Sequence, residues 1–246
     1  MPRVLLAGDV HGNAHHMVYL IKTALTLDCE SILQLGDMGY WEHSEAGVLF
    51  LDQVNTLCED AHLPLIWLDG NHENHVMLRK TYFNDSHLTD EGFYQIRPNI
   101  FHSPRGNIFN IGNVKFCTFG GAWSIDRAFR TIGKSWWWEE EIDWSEVDAM
   151  KREHVDVLLT HDVPTFVDMN AATVRYCYNF HTIPEAEKNR KKLDKVAAKC
   201  TPDYIYHGHY HVDYEQLVDF PHGVVRVEGL SCDGSGPRSW TVLELK

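Results

Sequence analysis

The sequence predicts an α/β fold, on two observations. Short apolar runs alternate with longer amphipathic segments through the first two thirds of the chain, which is the pattern of β-α-β units. Five of the apolar runs stop at Asp, Asn or His, most of them beside a glycine, and α/β sheets collect their ligands at the carboxyl ends of strands. Residues 4–7 read as the first strand and 13–27 as a helix. A strand at 31–35, a helix near 44–60, a strand at 65–68 and a helix after Glu73 follow. From 92 to 120 the segments shorten and carry turn signals at Pro98-Asn99, Pro104-Arg-Gly-Asn107 and Gly112-Asn113, the signature of antiparallel hairpins. A strand at 155–160, a helix near 185–199 and strands from 204 to the end complete the chain. No internal repeat, low-complexity block or Pro/Gly-rich linker interrupts it, so a single domain over residues 1–246 is the expectation.

With 246 residues, 44% hydrophobic and 23% charged, the chain has the composition of a soluble globular protein with a substantial core. Its opening apolar run, 4–7, is far shorter than a signal peptide or a membrane span requires, and no later run reaches spanning length. The cysteines at 29, 58, 117, 177, 200 and 232 form no C-x-x-C pair, so reduced thiols in a cytoplasmic protein are expected. A net charge of −13 opposes binding to long nucleic acid, whose affinity comes largely from neutralising phosphates. The strongest basic stretch, 188–199, is spaced like the solvated face of a helix.

The five strand ends are Gly8-Asp-Val-His-Gly12, Gly36-Asp37, Gly70-Asn-His-Glu73, His161-Asp162 and Tyr206-His-Gly-His-Tyr-His211. Singly, each has an ordinary explanation: Asp9 as a helix cap, Asn71 as a turn residue, His161 as a surface residue. Five in series make coincidence a poor account. Imidazoles, carboxylates and one amide, without thiolate, suit manganese, iron, nickel or zinc. They also outnumber the ligands of one four-coordinate ion and match two ions about 3.5 to 4 Å apart. In an extended chain, Cα atoms two residues apart span roughly 6.6 Å, so histidines at i and i+2 can serve one ion each. By spacing alone the pair could be His207 with His209 or His209 with His211.

In this order the motifs GDVHG (8–12), GDMGY (36–40), GNHE (70–73), THD (160–162) and GHYH (208–211) resemble those of the calcineurin-like dinuclear metallophosphoesterases. The resemblance implies a four-layer α/β/β/α sandwich of two mixed β-sheets flanked by helices. It implies two divalent metal ions, Mn favoured with Fe, Ni or Zn as options. Asp9, His11, Asp37 and His211 would hold one ion, and Asp37, Asn71, His161 and His209 the other, with Asp37 bridging. Aligned on GHxH, His209 and His211 become the metal pair and His207 a supporting residue. A hydroxide shared by the ions would attack phosphorus, with His72 contacting the phosphate or assisting the leaving group. Two divalent ions against two carboxylates and a hydroxide leave the centre at roughly +1, so a small phosphate can bind an acidic chain.

One departure concerns His72. In the serine/threonine protein phosphatase branch an Asp in the second motif orients the GNH histidine, whereas here that place is Tyr40, which disfavours a protein phosphatase. The stretch from Gly120 to Glu141 resembles a segment of phage and bacterial members, and there it would bring Arg127 and Arg130 to the phosphate and a Trp to a base. The alternative is that Trp136, Trp137 and Trp138 pack the loop and Glu139 to Glu141 open the next helix, which is favoured for at least two of the tryptophans. The expected function is a metal-dependent phosphoesterase acting on small phosphate esters, a phosphodiester or cyclic nucleotide preferred and some monoesterase activity allowed. A nuclease acting on short oligonucleotides and a catalytically silent metal-binding scaffold are the rival readings.

Overall fold

A computed structural model describes residues 2–169 and 183–245. Cys177 lies outside these residues; the cysteines at 29, 58, 117, 200 and 232 are free thiols. Two six-stranded mixed sheets form the centre. The first has the order β12-β1-β2-β3-β5-β4, from Trp240–Glu244, Arg3–Ala7, Ser31–Gln34, Leu65–Trp67, Ile100–His102 and Tyr94–Arg97. The second has the order β10-β11-β9-β8-β7-β6, from Tyr214–Phe220, Gly223–Gly229, Tyr204–His207, Val157–Thr160, Val114–Phe119 and Ile108–Ile111. In each, four parallel strands are flanked by one antiparallel strand at either edge.

Strand periodicity explains the layering. Side chains alternate between faces, so Val4, Leu6, Leu33, Phe116, Val157, Leu159 and Tyr206 meet between the two sheets. Their neighbours Leu5, Ala7 and Ile32 turn outward to α1 (Ala14–Thr26) and α2 (Glu45–Ala61). On the far side, Cys117, Leu158 and Ile205 pack against α4 (Trp144–Ala149) and α5 (Ile183–Cys200). The layers therefore run α/β/β/α. Strands covered on both faces read as continuous apolar runs, which is why the sequence marks them plainly.

The helices start where the sequence supplies caps. Asn13 Oδ1 accepts from His16 N–H at the start of α1, Ser44 Oγ from Gly47 N–H at α2, and Asn74 Oδ1 from Met77 N–H at α3 (His75–Tyr82). In α1 the buried residues Met17, Leu20, Ile21 and Ala24 keep helical spacing. The stretch 92–120 forms two antiparallel hairpins as expected, but they belong to different sheets: β4 pairs β5 in the first, and β6 pairs β7 in the second. Residues Glu139 to Glu141 do not open a helix. A 3-10 turn over Trp138–Glu140 ends in extended backbone at Glu141, and α4 begins after Asp143, whose carboxylate forms a capping box with Glu146.

Among the described residues, no helix is long and apolar enough to cross a membrane. The basic side chains of α5 are engaged locally: Lys188 with Glu185, Lys191 with Glu187, and Lys199 with the carbonyls of Val147, Asp148 and Met150.

Candidate metal centre

Register brings the motifs to one rim. Ala7 pairs with Gln34 and Gln34 with Trp67, so β1, β2 and β3 end at one level and release Asp9, Asp37 and Asn71 there. The adjacent strands β8 and β9 of the second sheet deliver His161 and His209. Backbone bonds lock the loops together: Asp37 O accepts from the N–H groups of Val10 (3.0 Å) and His11 (2.7 Å), and His209 N–H donates to Asp9 Oδ1 (3.0 Å). Two glycines permit the approach. A Cβ on Gly208 would lie 2.2 Å from Asp9 Oδ1, and one on Gly70 2.2 Å from Asp37 Oδ1.

All seven expected ligands fall within this site. His211 Nε2 lies 3.0 Å from Asp9 Oδ2, and His11 Nε2 lies 3.9 Å from Asp9 Oδ2 and 3.6 Å from Asp37 Oδ2. On the other side His161 Nε2 is 3.4 Å from Asp37 Oδ2 and 3.1 Å from Asn71 Oδ1, and the His209 ring centroid is 5.0 Å from that of His161. Two compact triads result, Asp9 with His11 and His211, and Asp9 with Asp37 and His161. Asp9 is common to both triads, while Asp37 Oδ2 stands between His11 and His161.

Neighbours fix the orientation of several of these side chains. His161 Nδ1 donates to Leu35 O (2.7 Å), which turns Nε2 to the carboxylates. Asn71 Nδ2 donates to Ser124 Oγ (3.1 Å), so its Oδ1 faces His161. His11, Asp37, His209 and His211 all have positive φ, between 50° and 69°. Left-handed backbone at non-glycine residues is costly, and among the described residues four of the seven such positions are candidate ligands.

The donor set fits metal ions. Asp9 Oδ2 is buried without a hydrogen bond, its nearest cationic contact being His211 Nε2. Bonds of about 2.0 to 2.2 Å place neighbouring ligand atoms on one ion roughly 3 Å apart, close to the spacing found. The electrostatics agree. Burial alone would lower the imidazole pKa values of His11, His161 and His211, but the carboxylates of Asp37 and Asp9, joined at His211 by Cys232, override it and raise them to about 9, 10 and 11. The carboxylates thus favour positive charge around His11, His161 and His211, whereas burial and the neighbouring His161 lower the pKa of His209.

His72 lies at the edge of the site. Its N–H donates to Asp37 Oδ1 (2.7 Å), its carbonyl accepts from Trp41 Nε1 (2.6 Å), and its Nε2 contacts the Arg130 guanidinium. Tyr40 is buried, stacked on Trp67 and bonded to Glu42 Oε2 (2.7 Å). Arg130 also reaches Asn71 O (3.3 Å) and is held by Asp126 (2.7 Å). Arg127 stands among three indoles, 4.9, 3.9 and 4.5 Å from the ring centroids of Trp123, Trp136 and Trp138, and pairs with Glu141 (3.1 Å). Trp136 and Trp137 are 1% and 5% exposed and pack the loop, whereas Trp138 is 59% exposed.

His207 is buried, with Nδ1 on Gly208 O and Nε2 on the Tyr214 hydroxyl, and burial pushes its pKa down to about 4. Two contacts escape motif reading. Asp233 accepts from His11 Nδ1 (3.0 Å), and Cys232 borders His211, whose imidazole lowers the thiol pKa against the effect of burial. Both follow β11, and their only sequence signal is the turn-rich stretch Ser231-Cys-Asp-Gly-Ser-Gly236.

Fold and site together define a metal-dependent phosphoester hydrolase. The family model described as calcineurin-like phosphoesterase matches residues 2–213, and the chain belongs to that family. Among solved structures it is similar to TT1561 of Thermus thermophilus (TM-score 0.55, 10% identity, covering 100% of this chain and 99% of that one). It is also similar to a dimetal phosphatase from Danio rerio, LOC 393393 (TM-score 0.53, 12% identity, 99% and 92% covered). At such identities these likenesses show the fold alone. No curated protein matches the chain.

Proposed function

We propose that the chain hydrolyses small phosphate esters, a phosphodiester or cyclic nucleotide in preference to a monoester, at a centre of two divalent ions with manganese favoured. The observation that supports this reading is Asp37 Oδ2, buried between His11 Nε2 at 3.6 Å and His161 Nε2 at 3.4 Å, with Asp9 beside it as the carboxylate common to both ligand triads. Asp9, His11, Asp37 and His211 would hold one ion, and Asp37, Asn71, His161 and His209 the other. When bound, the ions supply Lewis acidity and a water activated near neutral pH.

The chain's own residues do the rest. Arg130, its side chain 6% exposed and each guanidinium nitrogen held by Asp126, the Asn71 carbonyl or His72, sets a fixed positive charge at the edge of the centre that favours a phosphoryl anion there. His72 stands next to it and completes the phosphate side. Arg127 contributes at one remove: enclosed by indoles and paired with Glu141, it holds in place the turn that carries Arg130. A partner no larger than a nucleotide suits a chain of net charge −13.

The test compares 2′,3′-cyclic AMP, 3′,5′-cyclic AMP, p-nitrophenyl phosphate and single-stranded DNA as substrates of Mn²⁺-loaded protein. Faster turnover of a cyclic nucleotide than of the monoester or the DNA is expected. Preference for DNA makes the chain a nuclease instead, and turnover of none leaves a metal-binding scaffold.

A further inference from the structure

We propose that Asp233 is a positioning residue for the metal centre, acting through His11. The inference rests on the metal-centre reading above and concerns a residue outside 2–213, the stretch the family model matches.

The Asp233 carboxylate is held from two sides. Its Oδ1 lies 3.0 Å from His11 Nδ1, and its Oδ2 accepts from Asn13 Nδ2 at 2.7 Å. Its backbone N–H donates to Asp9 O at 2.8 Å. Asn13 is itself fixed, because its Oδ1 caps α1. A carboxylate accepts and does not donate, so the Nδ1 of His11 carries the proton in this bond and Nε2 is the atom directed at Asp9 and Asp37. A carboxylate behind a ligating imidazole fixes the tautomer and the ring plane and makes the ligand more basic.

The surrounding packing is built for this role. A Cβ on Gly8 would lie 2.1 Å from Ser231 O, and Ser231 Oγ donates to His211 O at 2.9 Å. The turn after β11 therefore touches both the first and the last motif loops and brings Asp233 to the ring edge of His11. His161 has a different support, the neutral carbonyl of Leu35 at 2.7 Å. The two halves of the centre thus differ: one imidazole is backed by a charge and the other by an amide. Loss of Asp233 weakens the ion on the His11 side and spares the one held by His161 and His209.

The experiment is a Co²⁺ titration of chelator-stripped full-length protein, followed by calorimetry and visible absorption. The parent binds two ions. In Asp233→Ala one binding step weakens by about 10- to 100-fold while the other holds. Asp233→Asn keeps an amide oxygen for Nδ1–H but loses the charge and sets its NH2 group against Asn13 Nδ2, so it recovers only a minor part of the loss. Asp233→Ser, polar but too short to reach the ring, shows the same selective loss and serves if the alanine variant folds poorly. Unchanged binding in Asp233→Ser, or equal weakening of both steps, overturns the inference while the metal-centre reading stands. A parent that binds no Co²⁺ overturns both.

Discussion

Arg130 donates to Nε2 of His72. A guanidinium has donors only, so that nitrogen is the acceptor and the proton of a neutral His72 sits on Nδ1. In the family branch where an Asp orients the GNH histidine, the ring is paired with a negative charge; here Nε2 meets the Arg130 guanidinium, with the Asp37 carboxylate further off at 3.8 Å. On the proposed reading, Arg130 rather than a neutral His72 would meet an incoming phosphate with charge. Arg130→Ala is expected to lower turnover of a phosphodiester by about 10² to 10³, the usual cost of removing one preorganised donor. Arg130→Lys recovers part, since an ammonium keeps the charge and loses the planar fork. Steady-state kinetics on both variants check this.

Arg127 behaves differently. Its guanidinium lies among three indole rings, so Arg127→Ala is expected to lower stability by about 1 to 2 kcal/mol. Metal binding stays as in the parent. Urea denaturation beside a metal titration separates the two effects.

The histidines of the 206–211 stretch divide by what their rings touch. His209→Ala and His211→Ala are each expected to lose metal, because those rings stand beside His161 and Asp9. His207→Ala retains it, since His207 faces Gly208 O and Tyr214. Metal content by elemental analysis decides, and equal loss in all three contradicts the division.

Arg105 is the buried hub behind the site. It binds Asp69 (2.6 Å), Glu146 (2.7 Å) and the carbonyls of Glu139, Glu140 and Glu141. It thereby ties the strand end that carries Asn71 to the loop that carries Arg130. Arg105→Met leaves the Asp69 carboxylate buried without its partner, at a cost of about 3 to 5 kcal/mol. Adding Asp69→Asn removes the stranded charge and recovers part of the loss, which a double-mutant cycle in urea measures.

His75, buried beside Asp69, sets part of the acid limit of stability. Burial lowers its pKa to about 3, against 6.5 for the free side chain, although the Asp69 charge opposes the shift. Between these values the unfolded chain binds more protons than the folded one, so the contribution is full above pH 6.5 and declines as pH falls toward 3. His75→Leu is expected to show a smaller fall in urea midpoint between about pH 7 and about pH 5 than the parent. An identical fall in both excludes His75 as a source.

Much of the fold was readable because sheets covered on both faces leave unbroken apolar runs, and the ends of β1, β2, β3, β8 and β9 are marked by ligand-type residues. The facing of the two sheets came only through resemblance, since the alternation of Leu5 and Leu6 does not say what each side meets. The hairpins of 92–120 could not be assigned to separate sheets from turn signals that look alike. In the site, motif order brought together residues as distant as Asp9 and His211. The ring contacts were not readable, because they depend on side-chain directions set by remote segments: Arg130 reaches His72 across 58 positions, and Asp233 reaches His11 across 222. The positive φ of His11, Asp37, His209 and His211 was hidden too, since those residue types do not demand it.

On the proposed reading Asp37 serves both ions, so hydrolysis depends on that carboxylate and on metal. The most direct measurement is turnover of bis-p-nitrophenyl phosphate by chelator-stripped protein refilled with Mn²⁺, beside Asp37→Ala treated identically. Turnover is expected to return with metal in the parent and to stay absent from the variant. Equal turnover in both, or none in the parent once metal is bound, would contradict that reading.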